Sequence, residues 1–171
     1  MATQARSAPW RNLLSFPDPV NEVSARLVAG GVVLMALAAI VFDQRWITLL
    51  IAYGFLARVL TGPKLSPLGQ LVTRVVTPRL PVKAKLVPGP PKRFAQGMGF
   101  AFSAAAAVLA IGFKQWGAAE ILLVLLIGAA SLESVFAFCM GCKIFAVGMK
   151  HGVIPERYCE ACNNLSLHTS A

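Results

Sequence analysis

The four cysteines of this chain fall as two Cys-X-X-Cys pairs, Cys139/Cys142 and Cys159/Cys162, directly after its most apolar stretch. Two intervening residues bring a pair of thiols close enough to bridge, and exchange chemistry then depends on how much thiolate is present. The 16 residues between Cys142 and Cys159 also suit a tetrahedral four-thiolate site for zinc or iron. Two chemistries are therefore open to the same four residues: dithiol redox or sulfur handling, and metal binding. Lys143 favours thiolate at Cys142, whereas the C-terminus of a preceding helix opposes it. A new helix starting at Gly141 or Lys143 would reverse that opposition, so the point at which the apolar helix stops matters for reactivity. Cys139-Met140-Gly141-Cys142 lacks the polar turn residues of a soluble zinc knuckle, while Cys159-Glu160-Ala161-Cys162 reads as an exposed turn.

Two carboxylates, Glu120 and Glu133, lie inside the last apolar run, and ionisable residues at membrane depth are functional candidates. Glu120 is four residues beyond Trp116 and can reach the interface. Glu133, with Ser131 and Ser134 beside it, is a candidate for a proton relay and equally for an inter-helix hydrogen bond. His151, between the cysteine pairs, could replace one thiolate as a ligand or simply sit at the interface.

A membrane domain must position these groups. Of 171 residues, 57 % are hydrophobic and 13 % charged, with a mean hydropathy of +0.67, far from the balance of soluble domains. Apolar runs place spans near 24–42, 46–62, 94–113 and 117–140. The first two runs are short for a span, and Arg26 and Arg58 are expected to lengthen them by snorkelling to the headgroups. Asp43-Gln44-Arg45 and Lys114-Gln115-Trp116 read as tight turns. The expected fold is all-α and integral to the membrane: a four-transmembrane-helix bundle of two helical hairpins. Residues 1–22 form an N-terminal segment with no apolar core of a signal peptide. Residues 23–145 form the membrane domain, and 146–171 a cysteine-containing tail. Asp18-Pro19 is expected to open the first helix, with Glu22 pairing Arg26 at i+4.

Of the 16 basic residues, fourteen lie on the side of the termini and central loop, and only Arg45 and Lys114 on the other. That bias predicts both termini, the loop and all four cysteines to be cytoplasmic, where thiols are normally reduced. The net charge of +9 is accounted for by topology and anionic lipid, with no need for nucleic acid. The central loop, 63–93, holds 7 of the 11 prolines and no acid. Within it Leu68, Leu71, Val72, Val75 and Val76 recur at helical spacing behind Ser66 as N-cap and Pro67 at the first helical position. This predicts a short interfacial amphipathic helix, with Arg74 and Arg79 toward headgroups or its apolar face against the bundle. Gly99, Ser103 and Ala107 form a small-residue stripe suited to close helix packing.

Phe16-Pro-Asp-Pro-Val-Asn-Glu22, Gly62-Pro-Lys-Leu-Ser-Pro-Leu-Gly69, Pro90-Pro-Lys-Arg-Phe-Ala-Gln-Gly97 and Phe138-Cys-Met-Gly-Cys142 together resemble a bacterial integral-membrane family classed as domain of unknown function 4395. The resemblance covers residues 16–142. It implies the bacterial inner membrane and thioredoxin-like or rhodanese-like partners, and it singles out Cys139 and Cys142, with Cys159/Cys162 outside the shared part. The leading expectation is a cytoplasm-facing dithiol protein in thiol redox or sulfur transfer, with Cys139, Cys142, Cys159, Cys162 and Glu133 carrying the chemistry. A four-cysteine zinc or iron site and a transport or assembly subunit are the alternatives.

Overall fold

The computed structural model describes residues 18–81 and 85–152; Cys159 and Cys162 lie outside the described residues. Helix α1 (Glu22–Val41) begins where the Asn21 side chain accepts a hydrogen bond from the Val23 N–H at 3.0 Å. After a turn in which Asp43 takes a φ of 50°, α2 (Ile47–Thr61) runs back. The short helix α3 (Pro67–Leu71) is capped as its sequence predicts, with the Ser66 hydroxyl accepting from the Gly69 N–H at 3.2 Å. It continues through two irregular turns to Arg79. Helix α4 (Gly89–Ala107) extends to Gly112 through one wider turn. A second tight turn, with Lys114 at φ 55°, leads into α5 (Trp116–Phe136), and α6 (Met140–Lys150) follows after three residues.

Among the described residues three helices are long and apolar enough to cross a bilayer: α1, α4 with its extension, and α5. Helix α2, at 15 residues, measures about 22 Å at 1.5 Å per residue against a hydrocarbon core of about 30 Å. The largest interfaces join α2 to α4 and α1 to α5. Small side chains dominate the interior, including Ala36, Ala39, Ala106, Ala110 and Ala119, with Val32, Ile51 and Leu123 among them. Large apolar side chains point outward, Leu34, Leu49, Val108, Ile121 and Val124 among them. Such an arrangement would expose a large apolar patch to water, but it is the packing expected where lipid surrounds the helices and close approach holds them together. The stripe on α4 works this way: Ser103 and Ala107 are buried, and a side chain at Gly99 would overlap the Phe55 ring.

Several local expectations are corrected. Glu22 does not pair with Arg26; its carboxylate lies 2.8 Å from Lys85 Nζ, beside the two-residue pairing of β1 (Val20–Asn21) with β2 (Leu86–Val87). Arg26 instead donates from Nε to the Ser134 carbonyl (3.0 Å) and from Nη2 to the Val135 carbonyl (2.9 Å), satisfying acceptors that the last turn of α5 leaves open. Arg58 does not snorkel, being only 5 % exposed. Helix α3 packs on the bundle through Leu68, which touches Gly31 of α1, and through buried Gly69 and Val72, leaving Leu71 exposed.

Candidate functional site

Helix α5 stops at Phe136 and does not run on to Met140, because Ala137 takes the left-handed conformation (φ 56°). Two residues later Cys139, in an extended conformation, caps α6: its Sγ accepts from the Cys142 N–H at 3.3 Å. The pair is thus at a helix N-terminus, beside backbone N–H groups and the positive end of the helix dipole. Cys139 and Cys142 are joined as a disulfide, with Cα atoms 5.2 Å apart. Both are half-buried. Lys143 lies in the same first turn, its ammonium 5.8 Å from the Phe138 ring centroid.

Helix α6 is held by α4. A side chain at Gly141 would come within 2.6 Å of the Ala95 Cα and Cβ, so glycine is what lets the two backbones approach. One turn on, buried Phe145 packs its ring on Phe94 with centroids 5.7 Å apart.

Beside the cysteines, at the end of the bundle that carries the central loop, lies a buried polar cluster. Glu133 of α5 and Lys92 of α4 form an ion pair, Oε1 to Nζ 2.6 Å, with side chains 14 % and 7 % exposed. Arg58 of α2 donates from Nε to Gln96 Oε1 (2.8 Å) and from Nη1 to the Ser66 hydroxyl (3.3 Å). Its guanidinium carbon sits 4.5 Å from the Phe55 ring centroid, and Glu133 is within electrostatic reach. Two buried cations therefore share one carboxylate. Glu133 is thus an inter-helix ion-pairing group. Sequence reasoning placed Lys92 in the loop and Arg58 in the headgroups. The small-residue stripe held the missed signal: continued backwards from Ser103 and Gly99 by helical steps it reaches Gln96 and Lys92, both on one face with residues that must be buried.

A crevice of about 620 Å³ opens between α4 and α5, floored by α1 and α2. Its α5 wall runs from Val124 to Phe136 and passes into Cys139, Met140 and Gly141. The lining is mostly apolar, Val32, Phe55, Phe102 and Leu126 included, with Arg58, Gln96, Ser131 and Glu133 as charged and polar members. A smaller cavity of about 180 Å³ on the α1 side is bordered by Arg58, Lys92 and Gln96 as well.

Other expected residues stand apart. His151 is exposed at the far end of α6, about 16 Å from the cysteine end by helical rise. Glu120 is half-buried in the second turn of α5, at the opposite end of the bundle. Among the described residues no three His, Cys, Asp or Glu side chains come together as a metal-binding group.

Apolar helices packed through small residues, three of them long enough to cross a bilayer among the described residues, define a helical membrane protein, here with a disulfide-bonded Cys-X-X-Cys pair at the start of the helix that follows the last long one. The chain belongs to the family described as Domain of unknown function (DUF4395), whose model matches residues 20–150. The matched span takes in Cys139 and Cys142 and ends before Cys159 and Cys162. Neither a curated protein nor a solved structure matches the chain.

Proposed function

We propose that this is a four-span protein of the bacterial inner membrane, with both termini cytoplasmic, whose Cys139/Cys142 pair cycles between disulfide and dithiol in exchange with a thioredoxin-like or rhodanese-like protein. The observation that carries the reading is the joined pair at the N-terminus of α6, half-buried at the end of the bundle. A thiolate of the partner attacks the disulfide, and the mixed disulfide is resolved by the partner's second thiol. The partner leaves oxidised, and Cys139 and Cys142 are left as two thiols. Helix α2 is the fourth span, supported by the outward apolar side chains Leu49, Leu50, Leu56 and Leu60. Orientation rests on the fourteen-to-two bias of basic residues.

The test is metal analysis of detergent-purified protein together with a thiol count before and after mild oxidation. Reversible loss of two thiols, mapped to Cys139 and Cys142 and absent in Cys139→Ser, is the expected result. About one zinc or iron per chain with all four cysteines protected would replace this reading with a structural site that includes Cys159 and Cys162. Four thiols alkylatable throughout would leave a transport or assembly role. Labelling of Cys142 by a membrane-impermeant maleimide in inverted vesicles, but not in spheroplasts, checks the orientation.

A further inference from the structure

A disulfide that is reduced in each cycle must be re-formed, and re-forming it requires an acceptor for two electrons. We propose that the α4–α5 crevice binds a lipid-soluble quinone and that this quinone oxidises the Cys139/Cys142 dithiol. The proposal rests on the dithiol reading above and names its oxidant.

Three independent features point to that chemistry. The crevice is bounded by four helices of a membrane protein and is mostly apolar, with a volume of about 620 Å³, within the range of sites that take small ligands. A neutral apolar molecule dissolved in the bilayer is what such walls accept. The crevice is not uniformly apolar, however. Arg58, 5 % exposed, lies in its wall, with Nε on Gln96 and Nη1 on the Ser66 hydroxyl, and a guanidinium carries five N–H donors in all. With Lys92 it leaves the cluster one positive charge in excess of Glu133. An acyl chain has no use for a buried guanidinium, whereas a quinone carbonyl accepts its hydrogen bond, and the negative charge that develops on that oxygen during reduction is stabilised by the excess cation. Finally, Cys139 lines the same crevice at the end where Arg58 and Glu133 lie, so electron donor and acceptor meet in one site.

The reaction balances. The two S–H bonds of Cys139 and Cys142 are broken and one S–S bond forms. Two electrons and two protons pass to the quinone, whose two carbonyl oxygens become the hydroxyls of a quinol. The quinol then leaves laterally into the bilayer.

The test uses the full chain in phosphatidylglycerol nanodiscs, reduced and freed of reductant, mixed without oxygen with decylubiquinone, whose ring carbons are fully substituted so that thiols cannot simply add to it. Loss of quinone absorbance and of thiols is followed together. Expected is one quinone reduced per pair of thiols lost, with a rate that saturates in quinone. Cys139→Ser abolishes it, and Arg58→Gln slows it at least tenfold. Because Arg58→Gln can perturb folding, Gly128→Leu serves as a second variant. Gly128 lines the crevice, and a Cβ there meets nothing within 4 Å, so the fold is kept while a bulky side chain is added at the site, and the rate should again fall at least tenfold. A non-saturable rate that is equal in all folded variants would overturn the quinone site in favour of a lipid-filled crevice. No quinone reduction by a pair that still cycles with a dithiol reagent would also overturn the proposal while leaving the dithiol reading intact. A pair that cycles with neither would overturn both.

Discussion

The shared carboxylate makes an asymmetric prediction. Glu133 faces Lys92 at 2.6 Å and also acts on Arg58; the three side chains are almost wholly removed from solvent. Glu133→Gln keeps the shape but leaves two buried cations with no anion, and breaking a buried pair in this way costs about 3–5 kcal/mol. Lys92→Met removes a cation instead, leaving Glu133 with Arg58. At an effective dielectric near 20, unit charges 4 Å apart attract by about 4 kcal/mol and twice as far apart by about 2 kcal/mol. The remaining attraction should therefore make Lys92→Met less damaging than Glu133→Gln by about 2 kcal/mol, although both remove the same 2.6 Å contact. The assay is reversible unfolding of the purified protein by sodium dodecyl sulfate in mixed micelles, followed by helix content. A Lys92→Met variant as unstable as Glu133→Gln, or more so, would refute the idea that one carboxylate serves two cations.

Other substitutions probe the frame around the cysteines. Gly141→Val should force α6 off Ala95, lowering stability by about 1–3 kcal/mol as overpacking does, and altering the alkylation rate of Cys142 once the pair is reduced; an unchanged rate would mean α4 does not position the pair. Ala137→Gly removes the cost of a Cβ in the left-handed conformation at the end of α5, so thermal stability should rise by about 1 kcal/mol, and a loss there would contradict the described turn. Arg26→Met deletes two donors to the carbonyls of Ser134 and Val135. Hydrogen bonds from a charged group are worth about 1.5–3 kcal/mol each, so amide exchange in 133–139 should accelerate markedly while that in 116–126 stays slow.

Hydropathy made the long apolar helices legible, and polar residues located the tight turns at Asp43 and Lys114, because long apolar runs and their polar interruptions are local properties. The polar cluster was hidden for the opposite reason. Lys92, Gln96, Arg58 and Glu133 come from three helices far apart in sequence, and while Glu133 reads as a group at membrane depth, charge alone assigns Lys92 and Arg58 to an interface. Only the helical spacing of Lys92 and Gln96 with Gly99 and Ser103 marks them as interior. The start of α4 at Gly89, five residues before the apolar run, follows from Pro90 and Pro91, which fit the first turn of a helix, where no intrahelical donor is needed. The end of α5 was undecidable locally. Phe136-Ala137-Phe138 continues the apolar pattern, and what breaks the helix is the combination of Arg26 holding the last carbonyls and Cys139 capping the next helix.

The alanine-lined interior has a consequence for how this sequence can vary. In a water-soluble domain the large residues inside are the ones that resist replacement, and the surface is permissive to polar change. Here the order is inverted on both counts. Ala36, Ala39, Ala106 and Ala119 are at or near zero exposure and admit nothing bigger, so a single added isopropyl group would separate two helices along their length. The outward leucines and valines are interchangeable with one another and intolerant only of charge. A saturation screen of this chain would therefore trace the helix seams as lines of fixed small residues, and the course of those lines would report the packing of the bundle without any structure being determined.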